Sequence, residues 1–95
     1  MNLPNGLEAV LWNGSQLEEV PNWVVVALNN FNYNEPGWIM RENRATESVI
    51  LVGTANGEKI AHPGDYITYE DGILDVWTNE DIANEQALNT LENNE

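Results

Sequence analysis

The chain has 95 residues, sixteen Asp or Glu against three Lys or Arg and a single His, a formal charge of −13, and no cysteine. That balance repels phosphate backbones and anionic lipid surfaces, which argues against direct nucleic-acid or membrane binding. The missing cysteines exclude a disulfide framework, a thiolate metal site and a cysteine nucleophile. With 42% hydrophobic residues and four Trp, the composition is that of a folded chain, and the length suits one domain over residues 1–95.

In chain order, the opening Met1-Asn2-Leu3-Pro4-Asn5-Gly6 lacks the basic and apolar regions of a signal peptide, so a cytoplasmic protein is expected. Leu7–Trp12 reads as a first strand closed by the turn pair Asn13-Gly14. Ser15-Gln16-Leu17-Glu18 has the spacing of a capping box, but Pro21 interrupts any helix begun there. Pro is comfortable in a first turn, so the spacing predicts a helix over 21–31 with Trp23, Val24, Ala27, Leu28 and Phe31 on one face. The β-branched run Val24-Val25-Val26 argues the other way.

A β meander follows: Trp38–Arg41, Ser48–Thr54, Glu58–His62, Asp65–Tyr69 and Ile73–Trp77, punctuated by Asn56-Gly57, Pro63-Gly64 and Asp71-Gly72. Alternation sets Tyr66 and Thr68 on one face and Ile67 and Tyr69 on the other. Thr78-Asn79-Glu80-Asp81 is a helix start with acids at the favourable end of the dipole. Ile82, Ala83, Ala87, Leu88 and Leu91 give that helix a narrow apolar stripe, and 92–95 are expected to fray. The fold class expected is α+β, a mainly antiparallel curled sheet of about five to six strands with one or two packed helices. No apolar run approaches the ~18 residues of a membrane span.

Two stretches resemble a known group of sequences. Ala61-His62-Pro63-Gly64-Asp65-Tyr66-Ile67, with Asp71-Gly72 and Val76, resembles the "PGDYI … G" box of small uncharacterised phage and prophage proteins. Leu7-Glu8-Ala9-Val10-Leu11-Trp12-Asn13-Gly14 with Leu17-Glu18-Glu19-Val20 is similar to the same family's "EAVQWTG" strand and "NLEEV" helix. The likeness covers about half the chain, at its two ends. It implies a phage-encoded cytosolic protein and carries over no catalytic or binding residue. Trp77 and Ile82 stand near the place where the family has a Phe followed by a Tyr.

Catalytic equipment is sparse. His62 lies three residues before Asp65, and Ser15 and Ser48 are the only serines. No G-x-S-x-G elbow accompanies them, so no catalytic residue is assigned. Glu70-Asp71-Gly72 with Asp75 lacks calcium-loop spacing, and one His without Cys cannot close a zinc site, so neither a metal nor a cofactor is expected. The clustered cations, Arg41 and Arg44, read as ion-pair partners of Glu42 or Glu47.

Charge asymmetry carries the functional expectation. Residues 61–95 hold nine acids and no Lys or Arg, and so contribute −9 of the −13. Glu70, Asp71, Asp75, Glu80, Asp81 and Glu85 span the last hairpin and helix. Either they are a solvated face, or they imitate a run of phosphates and occupy the basic groove of a nucleic-acid-binding protein. Trp38, beside Pro36-Gly37, is the indole expected to be exposed as an apolar anchor. The expectation is a non-enzymatic, DNA-mimic inhibitor of a host defence protein of the CRISPR-effector or restriction-nuclease class. The alternative is a phage structural or assembly accessory that self-associates, as a homodimer or larger oligomer, through a sheet edge and exposed aromatics.

Overall fold

The computed structural model describes residues 1–3, 6–32 and 34–93, the side chains of 89–93 excepted. Its elements are β1 (Glu8–Leu11), α1 (Asn22–Leu28), β2 (Ile39–Asn43), β3 (Ser48–Thr54), β4 (Gly57–Ala61), β5 (Tyr66–Glu70), β6 (Ile73–Trp77) and α2 (Asn79–Asn93). The strands form two antiparallel three-stranded sheets, β1-β5-β6 and β2-β3-β4. The fold is therefore α+β, with the single curled sheet of the sequence reading divided into two.

Alternation explains how the sheets meet. Val10, Ile67 and Leu74 from the first sheet and Ile39, Ile50, Val52 and Ala61 from the second point into one shared core, closed at one side by Val24 and Ala27 of α1. In register, Val10 faces Ile67, which faces Val76, so one parity of the first sheet is core and the other is its outer face. Trp12 is the bolt between sheets. Only 1% exposed, it donates its indole N–H to the carbonyl of Ser48 at 2.9 Å, and the Arg41 guanidinium lies 5.2 Å above its ring.

Turn chemistry fixes the last hairpin. Asp71 has φ +50° and Gly72 φ +83°, as a type I′ connection demands, and Glu70 then pairs with Ile73.

Residues 15–18 form no helix, in keeping with the interruption expected from Pro21, and the Asn13 side chain accepts the amides of Ser15 and Gln16 at 2.8 and 2.9 Å. Leu17 instead bridges back to Trp12. The 21–31 helix shrinks to Asn22–Leu28 and buries only Val24 and Ala27, leaving Leu28 and Phe31 exposed. Tertiary packing of that pair against the core overrides the strand preference of the valine run.

The stripe on α2 is shorter than expected. Ile82 is buried beside Leu3, Leu7 and Ala9, whereas Ala83, Ala87 and Leu88 face outward and the Leu91 side chain lies outside the described residues. Helix α2 extends to Asn93. Of the residues expected to fray, 94 and 95 are outside the described residues. No helix among the described residues is long and apolar enough to cross a membrane.

Candidate functional site

The outer face of the β1-β5-β6 sheet is made by residues of one parity: Ala9 and Leu11 on β1, Tyr66, Thr68 and Glu70 on β5, and Ile73, Asp75 and Trp77 on β6. Thr78 then starts α2. Its hydroxyl accepts the Asp81 amide at 3.1 Å, and the Asp81 carboxylate accepts the Thr78 amide at 2.9 Å. This reciprocal cap turns the helix across one half of the outer face, where Ile82 seats against Leu3, Leu7 and Ala9 with Tyr66 and Trp77 beside it. The other half stays open.

Two recesses result, both lined in part by Asp75 and Trp77. One, about 420 Å³, runs between β6 and α2 past Lys59, Asp81, Glu85 and Leu88. The other, about 210 Å³, lies over the hairpin between Glu70, Asp71 and Ile73 with Thr68 and Leu7. The fold thus places five of the six acids named from the sequence, Glu70, Asp71, Asp75, Asp81 and Glu85, around two recesses that share Asp75 and Trp77. Glu80, exposed on the first turn of α2, lines neither recess.

These carboxylates are not equivalent. Asp75 accepts from the Lys59 ammonium at 2.7 Å and from the Val76 amide at 2.8 Å, which ties it to the neighbouring strand β4 and offsets its charge. Asp81 is committed to the helix cap. The side chains of Glu70, Asp71, Glu80 and Glu85 enter no hydrogen bond or ion pair with the described residues; the first three are exposed and Glu85 is half-buried.

Trp38 is a correction. It is 3% exposed, not an exposed anchor, and it lies on the far sheet, packed with Val49 and Leu51 over the outer face of β2-β3-β4. Gly53 makes the slot: a Cβ there would stand 2.6 Å from Cε2 of the indole. Gly53 donates its amide to the Trp38 carbonyl at 2.8 Å, and Phe31 meets the ring edge-on at 4.9 Å. The large apolar side chains on the acidic surface are instead Trp77, half-buried, with Ile73 and Leu88, both more than half exposed. Counting outward from the Asp71-Gly72 turn would have found Ile73 and Trp77, since it sets them on the parity of Asp75, opposite Glu70 and Tyr66.

The remaining candidates resolve into structural roles. Arg44 pairs with Glu42 at 2.6 Å, whereas Glu47 pairs with His62, its Oε2 standing 2.5 Å from Nδ1. The Asp65 carboxylate accepts the backbone amide of His62 at 2.9 Å, so these two residues shape the Pro63-Gly64 turn. No group of three or more His, Cys, Asp or Glu that could hold a metal occurs among the described residues.

A third groove, of about 290 Å³, separates α1 from β5 and β6. Trp23, stacked on Tyr69 at 5.0 Å, lines it with Val26 and Leu74. The indole N–H of Trp23 is held by the Glu8 carboxylate at 2.5 Å. Beside the groove, Val25, Val26 and Leu28 present an exposed apolar face.

Compared with known proteins, the chain matches no family model, no curated protein and no solved structure.

Proposed function

We propose that the protein is a phage-encoded, non-enzymatic binder that inhibits a host nucleic-acid-handling defence protein by filling its basic groove. What carries this reading is the clustering of Glu70, Asp71, Asp75, Asp81 and Glu85 around two recesses that share Asp75 and Trp77 and also hold Ile73 and Leu88. Carboxylates turned to solvent steer a basic partner over about one screening length, and the apolar side chains among them supply contact that salt does not weaken. Duplex DNA presents a charge per roughly 1.7 Å of axis, so a face of this size substitutes for a short stretch and blocks one groove. The likeness of the two ends of the chain to phage and prophage proteins supports the origin, and the host cytoplasm is then where it acts.

The test is capture from host lysate by the tagged protein and by the variant E70Q/D71N/E80Q/E85Q, which removes carboxylates that hold no structural contact. A nucleic-acid-handling protein captured by the parent at ~0.1 M salt, displaced by duplex DNA and lost from the variant is the expected result. Equal capture by both proteins refutes the electrostatic mechanism.

The exposed Val25, Val26 and Leu28 of α1, with Phe31 beyond them, favour a second reading, a self-associating accessory protein. Sedimentation separates the two: this reading requires a stable oligomer that a Val25→Asp and Leu28→Asp double variant dissociates.

A further inference from the structure

The smaller recess is more specific than an acidic patch. Thr68, central in β5 and only 2% exposed, projects onto the outer face between Ala9 and Asp75 and lines the recess. Its hydroxyl enters no hydrogen bond with the described residues, yet that oxygen is not sealed in the interior. A nearly buried hydroxyl without a partner costs free energy unless something outside the chain meets it.

Around it the surfaces divide by chemistry. Glu70, Asp71 and Asp75 bring acceptors to the rim, while Leu7, Ile73 and Trp77 supply the apolar lining. Lys59 offsets part of this charge through Asp75, and two carboxylates remain unopposed. At about 210 Å³ the recess is smaller than the ~300 Å³ at which ligand pockets begin, and suits one long side chain.

A long apolar stem ending in several donors fits such a place, and planarity decides which. A guanidinium carries five N–H groups in a fixed fork, donates to carboxylates along more than one edge and stacks on an indole; an ammonium is a strongly hydrated point charge. We propose that this recess receives one arginine side chain of a basic partner segment. Thr68, Glu70, Asp71 and Asp75 take its guanidinium, and Leu7, Ile73 and Trp77 flank its methylenes. The inference rests on the reading of the acidic face as a partner surface and names the group that enters it.

The experiment titrates the isotopically labelled protein with a nine-residue peptide of Gly and Lys carrying one central Arg, and with the same peptide carrying Lys there. Expected are shifts centred on the Trp77 indole N–H and the amides of Thr68 and Asp75, and about fivefold tighter binding of the Arg peptide. Thr68→Val, which keeps the shape and removes the hydroxyl, and E70Q/D71N, whose Asn still tolerates the turn, should each bring the Arg peptide down to the Lys level. Both variants should otherwise keep the parent spectrum, which separates lost binding from lost fold. Equal affinity for the two peptides, shifts spread over all acidic residues, or no effect of Thr68→Val overturns the proposal. Arginine selectivity without capture of a host protein would sink the inhibitor reading and leave this one standing; capture that survives in Thr68→Val and E70Q/D71N would do the reverse.

Discussion

Substituting Gly53 by Ala adds one methyl group at the tightest approach in the second sheet. The new Cβ would stand 2.6 Å from Cε2 and 2.7 Å from Cδ1 of Trp38, about 1 Å inside the ~3.5–4.0 Å at which two carbon atoms attract. The backbone cannot yield easily. The Gly53 amide is bonded to the Trp38 carbonyl, and the Gly53 carbonyl to the Gly37 amide, both at 2.8 Å. The indole must therefore move, against Phe31 and off Val49 and Leu51. Complete expulsion would return ~150–250 Å² of apolar surface to water, about 4–6 kcal/mol at ~25 cal/mol per Å². A tilt of ~1 Å with rotamer strain falls in the ~1–3 kcal/mol range of overpacked cores. The smaller displacement prevails, because an indole hinged at its own strand can swing before it leaves, and a loss of ~2–3 kcal/mol is expected. For a domain of this size each kcal/mol lowers Tm by about 4–8 °C, so thermal unfolding by circular dichroism should show a drop of ~10–20 °C. In a Trp38→Leu background the same change should cost less than ~1 kcal/mol, because the ring it strikes is gone. A Gly53→Ala protein that melts within ~2 °C of the parent refutes the packing argument.

Other consequences can be read from single contacts. Thr78→Ala removes the hydroxyl that accepts the Asp81 amide, and should cost ~1 kcal/mol together with some helical ellipticity, whereas Thr78→Ser should restore both. Asp71 occupies φ +50°, so Asp71→Ala should destabilise by about 1 kcal/mol in a chemical-denaturation midpoint, while Asp71→Asn and Asp71→Gly should lie within ~0.5 kcal/mol of the parent.

The pattern that could be read from the sequence is the one set by local chemistry. The strands Ser48–Thr54 and Ile73–Trp77 have the bounds expected from their β-branched and apolar residues, and Asp71-Gly72 turns where it should. The facing of Thr68 follows from period two alone, and its pairing with Asp75 follows once the turn fixes the register. Long-range geometry was not legible. Trp38 looked exposed because Pro36-Gly37 precedes it; its burial depends on Ile39 pairing with Val52, which brings a glycine fifteen residues away under the indole. Nor could the sequence show that Asn13 would take the amides of Ser15 and Gln16, although Pro21 already spoke against a helix at Ser15–Glu18. The acids of the candidate face were all legible, but their inequality was not: Lys59 reaches Asp75 only because β4 lies beside β6 in space.

That inequality bears on stability as well as binding. The two arginines lie at the other sheet, Arg44 on Glu42 and Arg41 on the Ser15 carbonyl and Asn43, and Lys59 is spent on Asp75. Most of the carboxylates therefore repel one another unopposed, at a formal −13 for the chain. Two like charges ~8 Å apart in water repel by about 0.5 kcal/mol, and the folded state holds several such pairs closer than the unfolded chain does. Salt should remove much of this, since the screening length falls from ~30 Å at 0.01 M to ~8 Å at 0.15 M. A rise in Tm of several degrees over that interval is expected, and E70Q/D71N should show both a higher Tm at low salt and a smaller salt response. Salt bridges of the exposed Lys59–Asp75 kind weaken over the same interval and contribute less than ~1 kcal/mol, so they cannot reverse the sign. A Tm that stays level or falls with added salt would mean that attraction, not repulsion, dominates this surface. The case for a face held ready for external cations would then lose its physical basis, because binding a basic partner relieves the same repulsion that salt screens.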